Sequence, residues 1–444
     1  MKEHVLKSPG KSVIYQIYKT LNHFAPNLTT QLGEITDNRQ RKEYRIDEVA
    51  MAGINMFIFK QGSRNAFNNA RKDPVFVQNY EKVFNMRLPH MDTPDELFRQ
   101  LNAEELELLK AETIRGLIRK RVLEKYRYKG YYIVAIDGTG QGNYNESCRD
   151  CLRKTSKNGV TTYFRNVLEA KLVTPTGLSL SIASEWISNE SKENFEKQDC
   201  EREAFKRLAK KLKKLYPRLP MVIVADGLYP WEGFFNICNA NNWKYIVVLK
   251  DGNLKSLQEE INLEKIITPN QKRQIIRAEK LKRITYDYHY LTDLPYRKHS
   301  INYVELEETT KHIKTAELKV QRFVHITNFE VNAESCDRIS YTGRLRQKIE
   351  NEGFNTQKNQ GYALEHKFSR VDFNAIKNYY QCLQIAHIIN QLTEKSQEIK
   401  SLLRTYDITI KYLWQRLMSF LLEIDVNTEE IENLTHKRFQ IRLE

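Results

Sequence analysis

No stretch of this 444-residue chain approaches the roughly 18 consecutive apolar residues that a membrane-crossing helix needs. The opening residues, MKEHVLKSPG, lack the apolar centre of a secretory signal, so a cytosolic protein is expected. Cysteine is sparse, six in all. Cys200, Cys238, Cys336 and Cys382 are scattered and are expected to be reduced thiols. Cys148 and Cys151 form a single C-x-x-C. A structural zinc ion takes four ligands, and no second C-x-x-C or close histidine pair follows, so a loop with two small residues is expected there, metal binding being the alternative. Glycine (17) and proline (11) never cluster into a flexible linker, so the parts of the chain should pack directly on one another. There is no internal repeat.

What the chain has in excess is positive charge. Lysine and arginine number 71 against 56 acidic residues, a formal net charge of +15. A protein this basic is expected to meet a polyanion, and nucleic acid is the commonest. Its hydrophobic share of 41% is enough for a real core.

Residues 1–128 carry helical periodicity. Val13, Ile14, Ile17, Tyr18 and Leu21 recur at one-face spacing, and Asp47–Phe59 is a second apolar run. Thr93-Pro94 reads as an N-cap followed by a first-turn proline before Asp95–Leu101, and Ala103–Tyr128 reads as one long amphipathic helix. Thereafter the texture changes. Tyr132–Ile136 is a short β-branched and aromatic run closed by Asp137-Gly138, which predicts a buried strand with an aspartate at its end. Thr161–Val173 and Leu178–Ile187, separated by Pro175-x-Gly177, predict a hairpin. A helix over Asn194–Lys214 is followed by Met221–Ala225, a second buried strand that also ends in Asp-Gly, at Asp226-Gly227. Helix Trp231–Asn241 and strand Tyr245–Leu249 then imply a parallel crossover. Arg283–Leu291, Ile301–Leu306 and Gln321–Ile326 predict strands of a β-rich insertion. Past a polar stretch at Tyr341–Lys358, long helices are expected over Phe373–Glu394 and Leu402–Leu422.

The expectation is an α/β protein with a mixed sheet, flanking helices and helical regions at both ends. Its divisions are 1–128, 129–254, 255–338 (the β-rich insertion), 339–395 and 396–444. Trp186, Trp231 and Trp243 are expected in the core, as is His387 on an apolar helix face. The lysines of Lys206–Lys214 read as a solvated helix face.

Asp137 and Asp226 each end a strand of one sheet. Carboxylates brought close together repel unless a cation lies between them. All-oxygen donors suit Mg²⁺ or Mn²⁺, and two such ions can activate a nucleophile and stabilise a leaving oxygen at a phosphodiester. This reading calls for a third carboxylate downstream. Asp137-Gly138-Thr139, then Ala225-Asp226-Gly227-Leu228-Tyr229, then Arg346-Gln347-Lys348-Ile349-Glu350 resemble, in that order, the three acidic signatures of DDE transposases of bacterial insertion sequences, of the IS-four-type superfamily.

The resemblance covers about residues 130 to 390. It implies a ribonuclease-H-like fold with a β-rich insertion before the helix bearing the catalytic glutamate. It implies catalytic, metal-holding roles for Asp137, Asp226 and Glu350 with two Mg²⁺ or Mn²⁺ ions. Glu352 is the second choice for the third ligand and Glu365 a further one. Arg346 and Lys358 would contact phosphates. Tyr341 stands three residues before Arg344 and five before Arg346, so Tyr341 and both arginines are DNA-contact candidates. The implied activity is DNA transposition: metal-dependent cleavage at transposon ends, then strand transfer into target DNA. A homodimer would act on double-stranded DNA at terminal inverted repeats read by the helical N-terminal domain, in the bacterial cytoplasm at the nucleoid. A ribonuclease-H-fold nuclease without strand transfer and a non-catalytic DNA-binding protein are the alternatives.

Overall fold

The computed structural model describes residues 9–144, 146–148, 150–189, 199–369, 372–430 and 433. Seven helices come first: α1 (Pro9–Phe24), α2 (Leu28–Leu32), α3 (Ile46–Ile58), α4 (Arg64–Arg71), α5 (Pro74–Phe84), α6 (Asp92–Gln100) and α7 (Ala103–Arg119). Their caps are legible in the sequence. Ser63, Asp73 and Asn102 each accept a backbone N–H with their side chains, and Pro74 takes the first turn of α5. Two expectations differ. Met91, not Thr93, is the N-cap of α6, and α7 ends at Arg119, nine residues before the pattern suggested, where Arg121 takes a left-handed backbone.

The sheet contains β1 (Tyr132–Tyr144), β2 (Leu152–Thr155), β3 (Thr161–Val173) and β4 (Ser179–Ile187), then α8 (Glu201–Leu215), β5 (Met221–Ala225), α9 (Glu232–Ala240), β6 (Lys244–Val248) and α10 (Lys255–Ile267). The expected start of α8, at Asn194, lies outside the described residues. Strands β7 (Lys272–Glu279), β8 (Lys282–Tyr296), β9 (His299–His312) and β10 (Leu318–Thr327) follow. All ten strands form one sheet in the order β2-β3-β1-β5-β6-β10-β9-β8-β7, with β4 also pairing β3. Among the described residues, only β1–β5 and β5–β6 are parallel. The β-rich segment therefore extends the main sheet through β10, which pairs with β6.

The chain closes with α11 (Cys336–Arg344), a π-helical turn at Ile349–Asn355, α12 (Thr356–Asn359), α13 (Phe373–Glu394), α14 (Gln397–Tyr406) and α15 (Ile410–Glu423). The helix expected over Leu402–Leu422 is two helices, because Asp407 turns left-handed at φ 49° and breaks it. Alternation on β1 separates two cores. Ile133 and Ala135 face one shared by the N-terminal helices, α13 and α15; Val134 and Ile136 face another shared by α8 and α9. The first core crosses the boundary expected at residue 128. Trp243 and His387 are buried, whereas Trp186 and Trp231 are only partly so.

Helix α11 lies so close to the sheet that a Cβ on Gly343 would stand 2.6 Å from the His325 ring and 2.8 Å from an Ile246 methyl. Both neighbours are buried. Gly343→Ala is expected to cost about 1–3 kcal/mol, read as a lower midpoint in chemical denaturation. An unchanged midpoint would contradict this packing.

Candidate functional site

The strand expected to end at Asp137 does not end there. Parallel pairing to β5 stops at Ile136 opposite Ala225, but antiparallel pairing to β3 continues to Tyr144. Asp137 is thus the first residue of β1 beyond the tip of β5. Asp226 is the first residue after β5, so the two carboxylates leave neighbouring strands at the same level. The Asp226 side chain accepts the Leu228 N–H at 2.8 Å, and Asp137 accepts the Gly138 N–H at 3.0 Å. A Cβ on Gly227 would collide with the stem of Lys250, whose ammonium reaches Asp226 at 2.9 Å.

Arg346 follows α11, and its guanidinium donates to Asp137 Oδ2 at 3.2 Å. Burial pushes the Asp137 carboxyl up from its ordinary range. Arg346 opposes that, while the charges of Asp226 and Glu350 push the same way as burial. Asp226 and Glu350 therefore both lie within electrostatic reach of Asp137. Their ligand atoms are not yet closed on a common point: among the described residues, only Cys148, Asp150 and Cys151 bring three such atoms within 4.8 Å. Arg346 and Lys250 occupy the carboxylates instead.

Glu352 and Glu365 point elsewhere. Glu352 pairs with Lys348 at 2.5 Å and packs near Gly177 of the β3–β4 turn. Glu365 pairs with Lys358 at 2.8 Å. Glu350 and Glu352 share the π-helical turn, and such turns recur at functional sites. Arg344 bonds Glu308 at 2.8 Å and lies over Phe323, while Tyr341 is exposed on α11. Burial together with Arg344 and Arg346 pushes the buried His325 down to about 4, so it stays neutral. Lys211, in the basic helix α8, is tied to Glu107 and Glu185 rather than solvated.

Two further residues stand at the site: Tyr229 closes the second acidic signature, and Glu201 carries no signal in the sequence. Glu201 opens α8, and its Oε1 would stand 2.9 Å from a Cβ on Gly138. Burial raises its carboxyl, and the charges of Asp137 and Asp226 raise it further. Tyr229, 2% exposed, has a hydroxyl without a hydrogen-bond partner. Glu201 is a generic first-turn acid, and only the tertiary fold brings it to Gly138.

Other clusters do not compete. The Cys148 and Cys151 sulfurs are joined to each other, and Asp150 bonds Arg165 at 2.5 Å, so these groups are already engaged. A cleft of about 540 Å³ beside Trp186 is charged, but its Arg207 and Lys211 are neutralised by Asp199, Glu185 and Glu107. No helix among the described residues is long and apolar enough to cross a membrane. No protein-family model matches this chain, and no curated protein matches it.

Proposed function

We propose that this protein is a transposase: it cuts DNA at the ends of a mobile element and joins the freed ends to target DNA, on a ribonuclease-H-like core. The observation that carries this reading is the approach of Asp137, Asp226 and Glu350 from β1, the β5 tip and the π-helical turn. The order β3-β1-β5-β6, antiparallel then parallel, with α8 and α9 as crossovers, is compatible with that core.

The donors are all oxygens; burial raises the Asp137 carboxyl and the charges of Asp226 and Glu350 add to it, a conflict that a divalent cation relieves. The donor set therefore suits Mg²⁺ or Mn²⁺, which Asp137, Asp226 and Glu350 would hold. Ions bound there would supply an activated oxygen nucleophile and charge stabilisation at the scissile phosphate. Arg346 and Lys250, which now neutralise the carboxylates, would turn to phosphate oxygens when DNA and cations arrive. Arg344, Lys358 and Tyr341 flank the same turn and would hold the DNA end. The net charge of +15 supports a long phosphate-backbone track. The N-terminal helices would read the terminal repeats in a homodimer.

The test is to supply the full chain with Mg²⁺ and a duplex ending in short inverted repeats, plus a target plasmid. Joined products are the expected result. Cleavage without joining would indicate a nuclease instead, and binding without cleavage a non-catalytic protein.

A further inference from the structure

The Tyr229 hydroxyl is the least explained polar atom near the site. It is buried and unpartnered, an arrangement that costs about 1–3 kcal/mol and calls for an unseen water, ion or functional role. The charged groups that act on it are Glu201, Asp137 and Asp226. It is therefore an unpaired donor within electrostatic reach of three acids.

Glu201 reaches this point from the opposite face of β1. Asp137 lies on the face toward α13, since its cross-strand partner Glu169 bonds the Tyr380 hydroxyl of that helix at 2.8 Å. Gly138, the next residue, faces α8. Having no Cβ, it leaves the room that the Glu201 carboxylate fills. Asp137 has Arg346 and Asp226 has Lys250, but among the described residues Glu201 has no basic partner. A first-turn acid is ordinarily a helix-dipole partner. That role explains the residue type but not a carboxylate turned inward beside two others.

We propose that Glu201 is a fourth carboxylate of the cation site, holding a divalent ion from the α8 side, next to the buried, unpartnered Tyr229 hydroxyl. This rests on the reading of Asp137, Asp226 and Glu350 as cation ligands. The arrangement gives the site donors on both faces of the β1 strand.

The experiment is Mn²⁺ binding to the full chain without DNA, followed by titration calorimetry and by the loss of the free-Mn²⁺ paramagnetic signal. Wild type, Asp137→Ala, Glu201→Gln and Gly138→Ala are compared. Glu201→Gln keeps the shape and removes the charge; Gly138→Ala keeps the charge and displaces the carboxylate. Both are expected to weaken Mn²⁺ binding by about tenfold or more, as Asp137→Ala should. Weakening by Asp137→Ala alone would overturn the role of Glu201 and leave the acidic site intact. Equal binding by all four proteins, or none by wild type, would overturn both. Should Glu201→Gln fail to fold, Gly138→Ala decides: wild-type affinity refutes the proposal.

Discussion

Asp137→Ala is expected to lower Mg²⁺-dependent DNA cleavage by about a thousandfold, the consequence of losing about 4 kcal/mol of transition-state stabilisation at a metal-held phosphate. Asp137 is the carboxylate on which the site converges. It alone is acted on by Arg346, Asp226 and Glu350 together. Asp226→Ala and Glu350→Ala should fall by comparable factors. Glu352→Ala should stay within about threefold of wild type, because its carboxylate is committed to Lys348 and not to the other acids. Rates at saturating Mg²⁺ on a pre-nicked and an intact end measure this. An Asp137→Ala protein that still cleaves, or a Glu352→Ala protein that does not, would displace the site from where these residues put it. Binding of the uncleaved duplex should survive in all four variants, since the phosphate contacts lie on basic residues.

Lys171→Ala is expected to destabilise the protein by about 3–5 kcal/mol, among the largest costs of any single substitution outside the apolar core. Lys171 and Glu169 are both fully buried on β3, 3.9 Å apart. Lys171 donates to Gln384 at 2.9 Å, and Gln384 in turn accepts from Gln357 at 2.8 Å. Gln357 and Gln391 both reach His387, and Gln391 also bonds the backbone of Ser179. This polar layer between the sheet and α13 lies directly beneath Asp137, whose cross-strand partner is Glu169. Removing Lys171 leaves the Glu169 charge buried without its cation. The paired change Glu169→Gln with Lys171→Met should recover most of the loss, and chemical denaturation of the full chain measures both.

The same lysine predicts a pH dependence. Burial pushes Lys171 down to about 8, whereas the unfolded chain keeps an ordinary lysine near 10.4. Between about pH 8 and pH 10 the unfolded state therefore binds more protons than the folded state, so stability rises with pH across that window. Lys171→Met should flatten the rise. A wild-type stability that falls over the same interval would contradict the assignment.

Local pattern alone determined much of this protein. Helix α13 spans Phe373–Glu394 as its apolar spacing indicates, capped by Asp372, and β5 spans Met221–Ala225. The hairpin around Pro175 and Gly177, the strand–helix–strand path to β6 and three of the four strands of the insertion, all but β7, were legible. These are properties of neighbouring residues: side-chain period, caps and turn residues act within a few positions of one another. That an Asp-Gly follows each of two apolar runs was legible for the same reason, and the β1–β5 register sets the two aspartates at one level.

Only the tertiary structure decided the rest. Asp137 lies inside a strand because β3 continues to pair with β1 after β5 has ended, and no residue near Asp137 announces that partner. Glu350 rather than Glu352 approaches Asp137, because residues two apart on a helical turn point to different sides and the packing of that turn selects which one faces β1. Lys171 and Glu169 look like surface residues in sequence and are buried because α13 brings glutamines to meet them. Glu201 joins the acids through the absence of a side chain at Gly138, a contact between residues far apart in the chain. Burial and charge proximity are sums over distant segments, and those sums exist only once the sheet has closed.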